Sequence, residues 1–332
     1  MRSRSKFYLL VTFVVASIPF LCVASGYVNG QEDGNTKKQI ANAANSISRL
    51  QKFTFRHSLK KNEELRWDVE HIASVETRAN SVENKLSSRT QSTKLWRVIE
   101  VDSLGSMTIE NSIERLNLWN KNGDEEPMSY DSEKGDKPAP MFETAAENVG
   151  VVLSVVTIDS LGNVVGRQGQ GAEASFGAGD FTIIFPEEPI AVGHQWSLPI
   201  DLIARHKDGQ VKQIRARKLF TLDAVDNQVA TISLKTEILT PIDDPWVDSQ
   251  IMQKKNKGKL RFDLAAGRVL SQEIDWNERV QEVEGPDSAL IYMARFHEKL
   301  RQPRVSSRDE VKNESTELII KASDSPPILR NR

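Results

Sequence analysis

Period-two alternation of apolar and polar residues places the strongest constraint on the fold of this chain. In the segment ELRWDVEHIASVET, every second residue from Leu65 to Val75 is apolar or a histidine, and most residues between them are polar. This pattern is typical of a strand with one buried and one solvated face, as found in antiparallel sheets. The sequence therefore predicts an all-β fold.

Comparable alternation recurs along the body of the chain, and short turns rich in Gly, Asp and Asn separate most of the segments. We expect an antiparallel, strongly curved sheet or a barrel-like sandwich built of hairpins, with at most one or two short helices. The strands predicted in the C-terminal half, the last with a helical alternative, cover residues 213–224, 228–239, 257–264, 268–283 and 288–300.

The segment KFTFRHSL precedes the first long strand and also alternates, with Phe53, Phe55, His57 and Leu59 on one face. The residues KKNE that follow are typical of a turn. We therefore expect this segment to form a hairpin with the strand that begins near Leu65.

Two stretches, VIEVDSLGSMTI and VVTIDSLGNVVG, share an apolar strand, an Asp-Ser-Leu-Gly turn and a return strand, and LRFDLAAGRVL repeats the form more loosely. The aspartate can accept backbone N–H bonds, and the glycine supplies the positive φ that a tight hairpin needs. A calcium site would need several oxygens around one ion, which one carboxylate per hairpin does not provide. These stretches therefore predict hairpin turns.

The N-terminus has the layout of a secretory signal peptide. Arg2, Arg4 and Lys6 precede an apolar run over residues 7–24, small residues follow, and the sequence then becomes polar. This order of segments predicts a signal peptide over residues 1–25 and export to a periplasmic or extracellular location.

Two alternatives remain for this segment. About 18 apolar residues reach the lower limit for a membrane span, so the segment could stay uncleaved as an N-terminal anchor and provide the protein's membrane contact. Cys22, the single cysteine, could carry a lipid, although Leu21 before it is larger than the residue usual in lipoprotein signals. After cleavage no cysteine remains, which excludes a disulfide framework and a thiol nucleophile.

The rest of the chain divides by composition into three parts. Residues 26–50 predict a polar spacer, residues 51–300 a single β-rich domain with two sub-sheets that could divide near 120–142, and residues 301–332 a disordered tail. The tail has few apolar residues and no sustained period, so it cannot bury enough surface to fold alone.

The charge of the chain argues against a nucleic-acid partner. The formal net charge is −2, and it would be −5 without the three cations of the signal segment. Proteins that bind nucleic acids normally present a basic field that neutralises phosphates. We therefore expect no nucleic-acid binding.

The segment FPEEPIAVGHQW combines features of an active site and of a structural connection. Pro186 and Pro189 lack N–H donors and cannot lie in a central strand, and Gly193 predicts a turn just before Trp196 begins a new strand. Its charged side chains, those of Glu187, Glu188 and His194, could be an acid–base cluster. Their position beside Pro and Gly favours a solvated loop, so we interpret the segment as scaffold.

This segment is also part of a sequence pattern that resembles a known protein family. Its Pro-x-x-Pro-Ile-x-Val-Gly-x-x-Trp pattern, with the IDSLGNVVG hairpin before it, the late FDLAAGRVL turn, and YDSEKG ahead of VGVVLSVVTID, resembles an exported bacterial β-rich family of unknown function. The resemblance covers most of residues 50–285 and implies export and a β-rich fold. That family commonly has an acidic residue where this chain has His194, and the resemblance implies no catalytic residue.

No motif in the sequence predicts an enzyme. His57 and His71 lie on apolar faces, but a hairpin between them would hold their rings about 13 Å apart, too far to share a zinc ion. GQGAEA (169–174) matches a phosphate-binding loop formally, yet it precedes a glycine-rich stretch and a strand, not a helix. We therefore predict no catalytic residues, no metal and no cofactor.

Two functions are compatible with this pattern. The first is a non-catalytic structural or interaction module of the cell envelope, with an unknown envelope partner. The alternative is a carrier or sensor of a lipid or other apolar small molecule in a β-lined cavity. The residues that would line such a cavity are Phe53, Phe55, His57, Trp67, Val69 and His71.

Overall fold

The structure is a computed structural model that describes residues 51–79, 82–168 and 182–301. The predicted signal peptide with Cys22, the spacer, the GQGAEA loop and the tail beyond Arg301 lie outside the described residues. The described residues belong to one compact unit of the chain.

The described residues form fourteen strands and two short α-helices. The strands are β1 (Lys52–Phe53), β2 (Glu64–Ala79), β3 (Val82–Val101), β4 (Met107–Asn122), β5 (Met128–Asp131), β6 (Val152–Ile158), β7 (Val164–Gln168), β8 (Ile190–Ala191), β9 (Gln195–Arg205), β10 (Val211–Asp226), β11 (Val229–Ile238), β12 (Lys257–Asp263), β13 (Arg268–Gln281) and β14 (Ala289–Leu300). The helices are α1 (Glu143–Glu147) and α2 (Pro245–Ile251), with 3-10 turns at Pro140–Phe142 and Met252–Lys254.

Twelve of these strands form one antiparallel sheet with the order β7-β6-β4-β3-β2-β14-β13-β12-β11-β10-β9, and β5 pairs with β4. Strands β2–β7 form one half of this sheet, and strands β9–β14 form the other half. The halves join where β14 pairs with β2, in a register that sets Leu300 opposite Trp67. The predicted all-β class is confirmed, and residues 289–300 form a strand, not the alternative helix.

The sheet is strongly curved. Ile158 of β6 and Phe220 of β10 line the same interior space, although seven other strands separate their positions in the sheet order. A flat sheet could not bring these strands together. Consequently one face of the sheet is concave and encloses the core, while the other is convex and faces solvent; we call them the inner and outer faces.

The predicted hairpin between KFTFRHSL and β2 is wrong. β1 pairs with β8, setting Phe53 opposite Ile190, and residues 54–59 form no strand. These six residues, called the inner segment, lie inside the curved sheet. The N–H of His57 donates to the carbonyl of Ser160 (2.7 Å), and that of Ser58 donates to Gly267 (2.9 Å). The alternation predicted correctly which side chains are buried. However, an extended segment inside a curved sheet buries every second side chain just as a paired strand does.

The Asp-x-x-Gly turns are confirmed. Oδ1 of Asp102 accepts the backbone N–H groups of Leu104 and Ser106, each at 2.8 Å. The bond from Ser106 is the main reason why the pKa of Asp102 is lowered. Asp159 and Asp263 accept equivalent backbone bonds in the β6–β7 and β12–β13 turns.

Two of these turns also hold the inner segment. A Cβ added to Gly162 would lie 2.2 Å from the carbonyl oxygen of Ile183 and 2.9 Å from Nε2 of His57. A Cβ on Gly267 would lie 2.6 Å from the backbone nitrogen of Ser58. Gly105, in the third turn, has no neighbour within 4 Å of that position. The repeated glycine therefore has a second role, close backbone approach, in only two of the three turns.

The FPEEPIAVGHQW segment is a connection that leads into β9. The indole N–H of Trp196 donates to the carbonyl of Ile184 (2.9 Å), and its ring stacks on Phe220 at a centroid distance of 5.3 Å. Phe185 is buried beneath it, and Gly193 has a φ of 90°. Large buried aromatic rings of this kind stabilise a domain by on the order of 2 to 3 kcal/mol each.

The helix α2 covers the inner face at the end of the sheet opposite the inner segment. Asp244 caps its N-terminus by accepting the N–H of Trp246 at 2.9 Å. Its buried Val247 and Ile251 pack on Ile214 and other residues of β9 and β10. No helix among the described residues is both long and apolar enough to cross a membrane.

We predict that Gly162→Ala and Gly267→Ala each destabilise the protein by about 2 to 4 kcal/mol, because the added Cβ must displace backbone atoms of the inner segment. Gly105→Ala should destabilise the protein by only about 1 to 2 kcal/mol, because the added Cβ is strained at positive φ but meets no neighbouring atom. Denaturant unfolding of the three variants measures the difference. Equal decreases in unfolding free energy for the three variants would show that Gly162 and Gly267 do not pack closely against the inner segment.

Candidate functional site

The inner face encloses a small chamber at the end of the sheet that holds the inner segment. Its volume is about 40 Å³. A cavity needs roughly 10 to 15 Å³ of this kind of space for one water molecule, so the chamber has room for about three. Its polar or charged lining residues are His57, Thr182, Lys218, Arg268, Gln272 and Glu298, and its aromatic ones are Trp67, Trp96 and Phe220.

The chamber brings together only two of the six residues proposed as a cavity lining, His57 and Trp67. Phe53 and Phe55 pack into an aromatic cluster with Phe185 and Phe262. The others lie elsewhere on the inner face: Val69 in the cluster around Trp67 and Trp96, and His71 further along β2, with its ring 6.1 Å from that of Trp276.

His57 fastens the inner segment to the chain that follows β7. Its Nε2 donates to the carbonyl oxygen of Ile183 at 2.9 Å, and its ring is only 7% exposed. Burial lowers the pKa of His57, while the bond to Ile183 and the charge of Asp159 act in the opposite direction with smaller effect. The imidazole therefore serves as a neutral hydrogen-bond donor in the core, and its bonded nitrogen is not free to bind a metal ion.

A buried ion pair borders the chamber. Nζ of Lys94 lies 2.5 Å from Oε2 of Glu298, and their side chains are 16% and 10% exposed. The ammonium group also lies over the rings of Trp67 and Trp96, at 4.9 and 5.1 Å from the centroids. Cation–π contact and the carboxylate together offset part of the cost of taking both charges out of water.

The sequence contains a signal for the Lys94–Glu298 pair that is separate from the alternation of apolar residues. Lys94 and Trp96 share a face of β3, and Glu298 and Phe296 share a face of β14. A charge at an inward position of an amphipathic strand is uncommon and normally has a buried partner. Pairing Lys94 with Glu298 would still have required the β14–β2–β3 order, which strand periodicity does not supply.

Trp67 has a buried indole nitrogen with no hydrogen-bond acceptor among the described residues. A buried N–H without a protein partner commonly bonds to ordered water. Trp67 lines the chamber, whose volume suits such a molecule. The chamber therefore has the size and the polarity of an internal water site.

The other candidate groups do not converge on one place. Glu187, Glu188 and His194 are exposed on the connection before β9. Nδ1 of His206 lies 2.8 Å from Oδ2 of Asp244, a contact that lowers the pKa of this aspartate and ties the β9–β10 turn to α2. Within the described ranges, no three His, Cys, Asp or Glu residues are grouped so that they could hold a metal ion.

Removing the lysine alone should destabilise the protein strongly. Lys94→Met leaves the carboxylate of Glu298 buried without its cation, and we expect a loss of about 3 to 5 kcal/mol. The double variant Lys94→Met/Glu298→Met removes both charges and should recover most of that loss in denaturant unfolding. Additive losses in the double variant would mean that the two groups are not coupled.

Burial of a neutral histidine predicts a pH dependence of stability. The unfolded imidazole has a pKa of about 6.5, and that of folded His57 is lower, so the unfolded state binds more protons between these two values. The free energy of unfolding should therefore fall as pH drops below about 6.5, until the folded pKa is reached.

His57→Gln keeps an N–H donor for Ile183 but cannot take up a proton, so its unfolding free energy should decrease less between about pH 7.5 and pH 5.5. Burial also lowers the pKa of His71, which contributes to the slope in both proteins. An unchanged slope in His57→Gln would contradict this assignment.

No protein-family model matches the chain, and no curated protein is significantly similar to it. The resemblance to an exported β-rich family therefore stays a prediction.

Proposed function

We propose that this protein is an exported, non-catalytic structural or interaction module of the cell envelope. The observation that supports this proposal most directly is the filled interior. The inner segment occupies the concave face at one end of the sheet, and α2 occupies it at the other. Between the two halves, the chamber measures about 40 Å³.

The size of the chamber argues against a carrier. Pockets for small molecules usually measure about 300 to 1,000 Å³ and bury most of the ligand. An acyl chain would have to displace the inner segment or α2, and each of these is held by buried side chains and hydrogen bonds. Phe55 and Ile251, for example, are 1% and 2% exposed.

The charges at the chamber do not favour catalysis. Glu298 is neutralised by Lys94, and Arg268 contacts Glu63 at 2.5 Å. A general acid or base needs a partner in the substrate and a pKa near the working pH. Charged groups that satisfy one another inside a water-sized space are better explained as parts of the core.

The location within the envelope rests on the sequence. The predicted signal peptide and the resemblance to an exported family both favour export, with an uncleaved N-terminal anchor as the alternative. In either case the module would meet its partner outside the cytoplasm.

Native mass spectrometry of the protein, released from its own envelope without detergent and followed by organic extraction, tests this proposal. We expect the mass of the polypeptide, with no bound lipid. A stoichiometric lipid would overturn the proposal and favour the carrier, with His57 and Trp67 as the first residues to substitute. The measured mass also reports whether residues 1–25 have been removed.

A further inference from the structure

The strand β9 lies at one end of the sheet and has a free edge. Among the described residues it pairs only with β10. The backbone groups of successive residues point to opposite sides of a strand. The N–H of His206, just after β9, donates to the carbonyl of Gln210 at 2.9 Å, on the side of β10. The N–H and C=O groups of Arg205, Ile203 and Asp201 therefore point to the free edge.

A side-chain amide occupies one end of this edge. Nε2 of Gln250, on α2, donates to the carbonyl of Arg205 at 2.7 Å, and Oε1 of Gln250 accepts the N–H of Arg205 at 3.0 Å. These are the two bonds that a residue of a neighbouring antiparallel strand would make. Gln250 is exposed, so an incoming strand can displace it. Towards the other end Pro199 has no N–H, which leaves residues 201–205 as the part of the edge that can pair fully.

The side chains of this segment have no matching partners within the chain. Asp201 and Arg205 are exposed on the outer face, and neither forms an ion pair within 4.0 Å with another described residue. They lie about 13 Å apart along the strand, too far to pair with each other. Between them Ile203 is 67% exposed, more than any other large apolar side chain in the described strands. An ion-pair partner for the two charges must therefore come from another molecule.

We propose that β9 pairs with β9 of a second copy of this chain, antiparallel and about a two-fold axis at Ile203. The axis is perpendicular to the sheet, so the outer faces of both copies lie on the same side. Ile203 then lies opposite the partner's Ile203. Asp201 lies opposite the partner's Arg205, and the symmetry repeats this ion pair on the other side of the axis. Directly opposite side chains in such a pair lie about 4.5 to 5.5 Å apart, close enough for both kinds of contact.

Backbone bonds would accompany these contacts. The paired isoleucines can exchange both of their N–H···O bonds across the axis. Each Asp201 can do the same with the partner's Arg205 once Gln250 has released that residue. Gln250 therefore guards the edge in the monomer, and its displacement sets part of the cost of dimer formation.

The charge pattern identifies a second copy as the partner. A strand with opposite charges at equal distances from a central apolar residue complements its own antiparallel copy, because the reversal of direction places the acid opposite the base. Moving the axis by two residues, to Asp201 or to Arg205, would set like charges opposite each other and destabilise the pair. This inference goes beyond the proposed function, since it requires no envelope partner.

Sedimentation velocity over about 1 to 200 µM protein tests the proposal, because so short an edge should give a weak dimer. We expect the dissociation constant to rise at least about tenfold in Asp201→Arg and in Arg205→Asp, since each sets like charges opposite each other on both sides of the axis. The double variant Asp201→Arg/Arg205→Asp exchanges the charges and should return to within about threefold of the wild type.

Gln250→Ala provides a test in the opposite direction. It removes the amide that competes for the backbone of Arg205, so the dissociation constant should fall at least about threefold. A control for net charge is Lys257→Glu, in the row of exposed cations Lys257, Lys259 and Arg261 on β12. It changes the charge as much as Arg205→Asp does, and it should change the dissociation constant less than about twofold.

Circular dichroism and denaturant unfolding establish that each variant is folded. A monomer at every concentration would overturn the proposal, as would equal effects of Arg205→Asp and Lys257→Glu. A double variant as weak as the single ones, or a dissociation constant that does not fall in Gln250→Ala, would overturn it as well. These results leave the interaction-module proposal intact, since that proposal fails on a different result, a lipid extracted from the native protein.

Discussion

The concave face of a strongly curved sheet must be filled, and the rest of this structure depends on how that is done. Backbone bonds from His57 and Ser58 anchor the inner segment to the β6–β7 and β12–β13 turns, which lie in opposite halves of the sheet. One short extended segment therefore ties the two halves together across the core. The hydrophobic clusters on either side supply most of the driving force, and these bonds determine where the segment lies.

Alternation predicted the described strands of the C-terminal half and the burial of Phe55, His57 and Trp67, because side-chain periodicity depends only on local sequence. It could not predict which segments pair. The inner segment has the periodicity of a strand without being one, and its neighbours at Ser160 and Gly267 are more than a hundred residues away. The predicted hairpin failed for this reason, while the Asp-x-x-Gly turns, whose bonds are local, were found correctly.

The candidate site around the chamber also depends on strand pairing that the sequence pattern does not predict. Trp67 and His57 could be assigned to the interior from the sequence, whereas the Lys94–Glu298 pair depends on strands that meet only in the folded sheet. The row of cations on β12 is visible in the sequence as KGKLR, but a net charge of −2 conceals it. Only strand order and register reveal which carboxylates lie opposite these cations, Asp275 across from Lys257 and Glu273 across from Lys259.

The pairing of Trp67 with Leu300 also has a consequence for the order of folding. β14, which joins the two halves by pairing with β2, is the last strand of the sheet to be synthesised. The halves therefore cannot pair until all the other strands have been synthesised. Such long sequence separations slow folding, because a large loop must close before the contact forms. If the chain is exported, as we propose, slow folding would keep the polypeptide unfolded during its passage through a translocation channel, and the sheet would assemble after export.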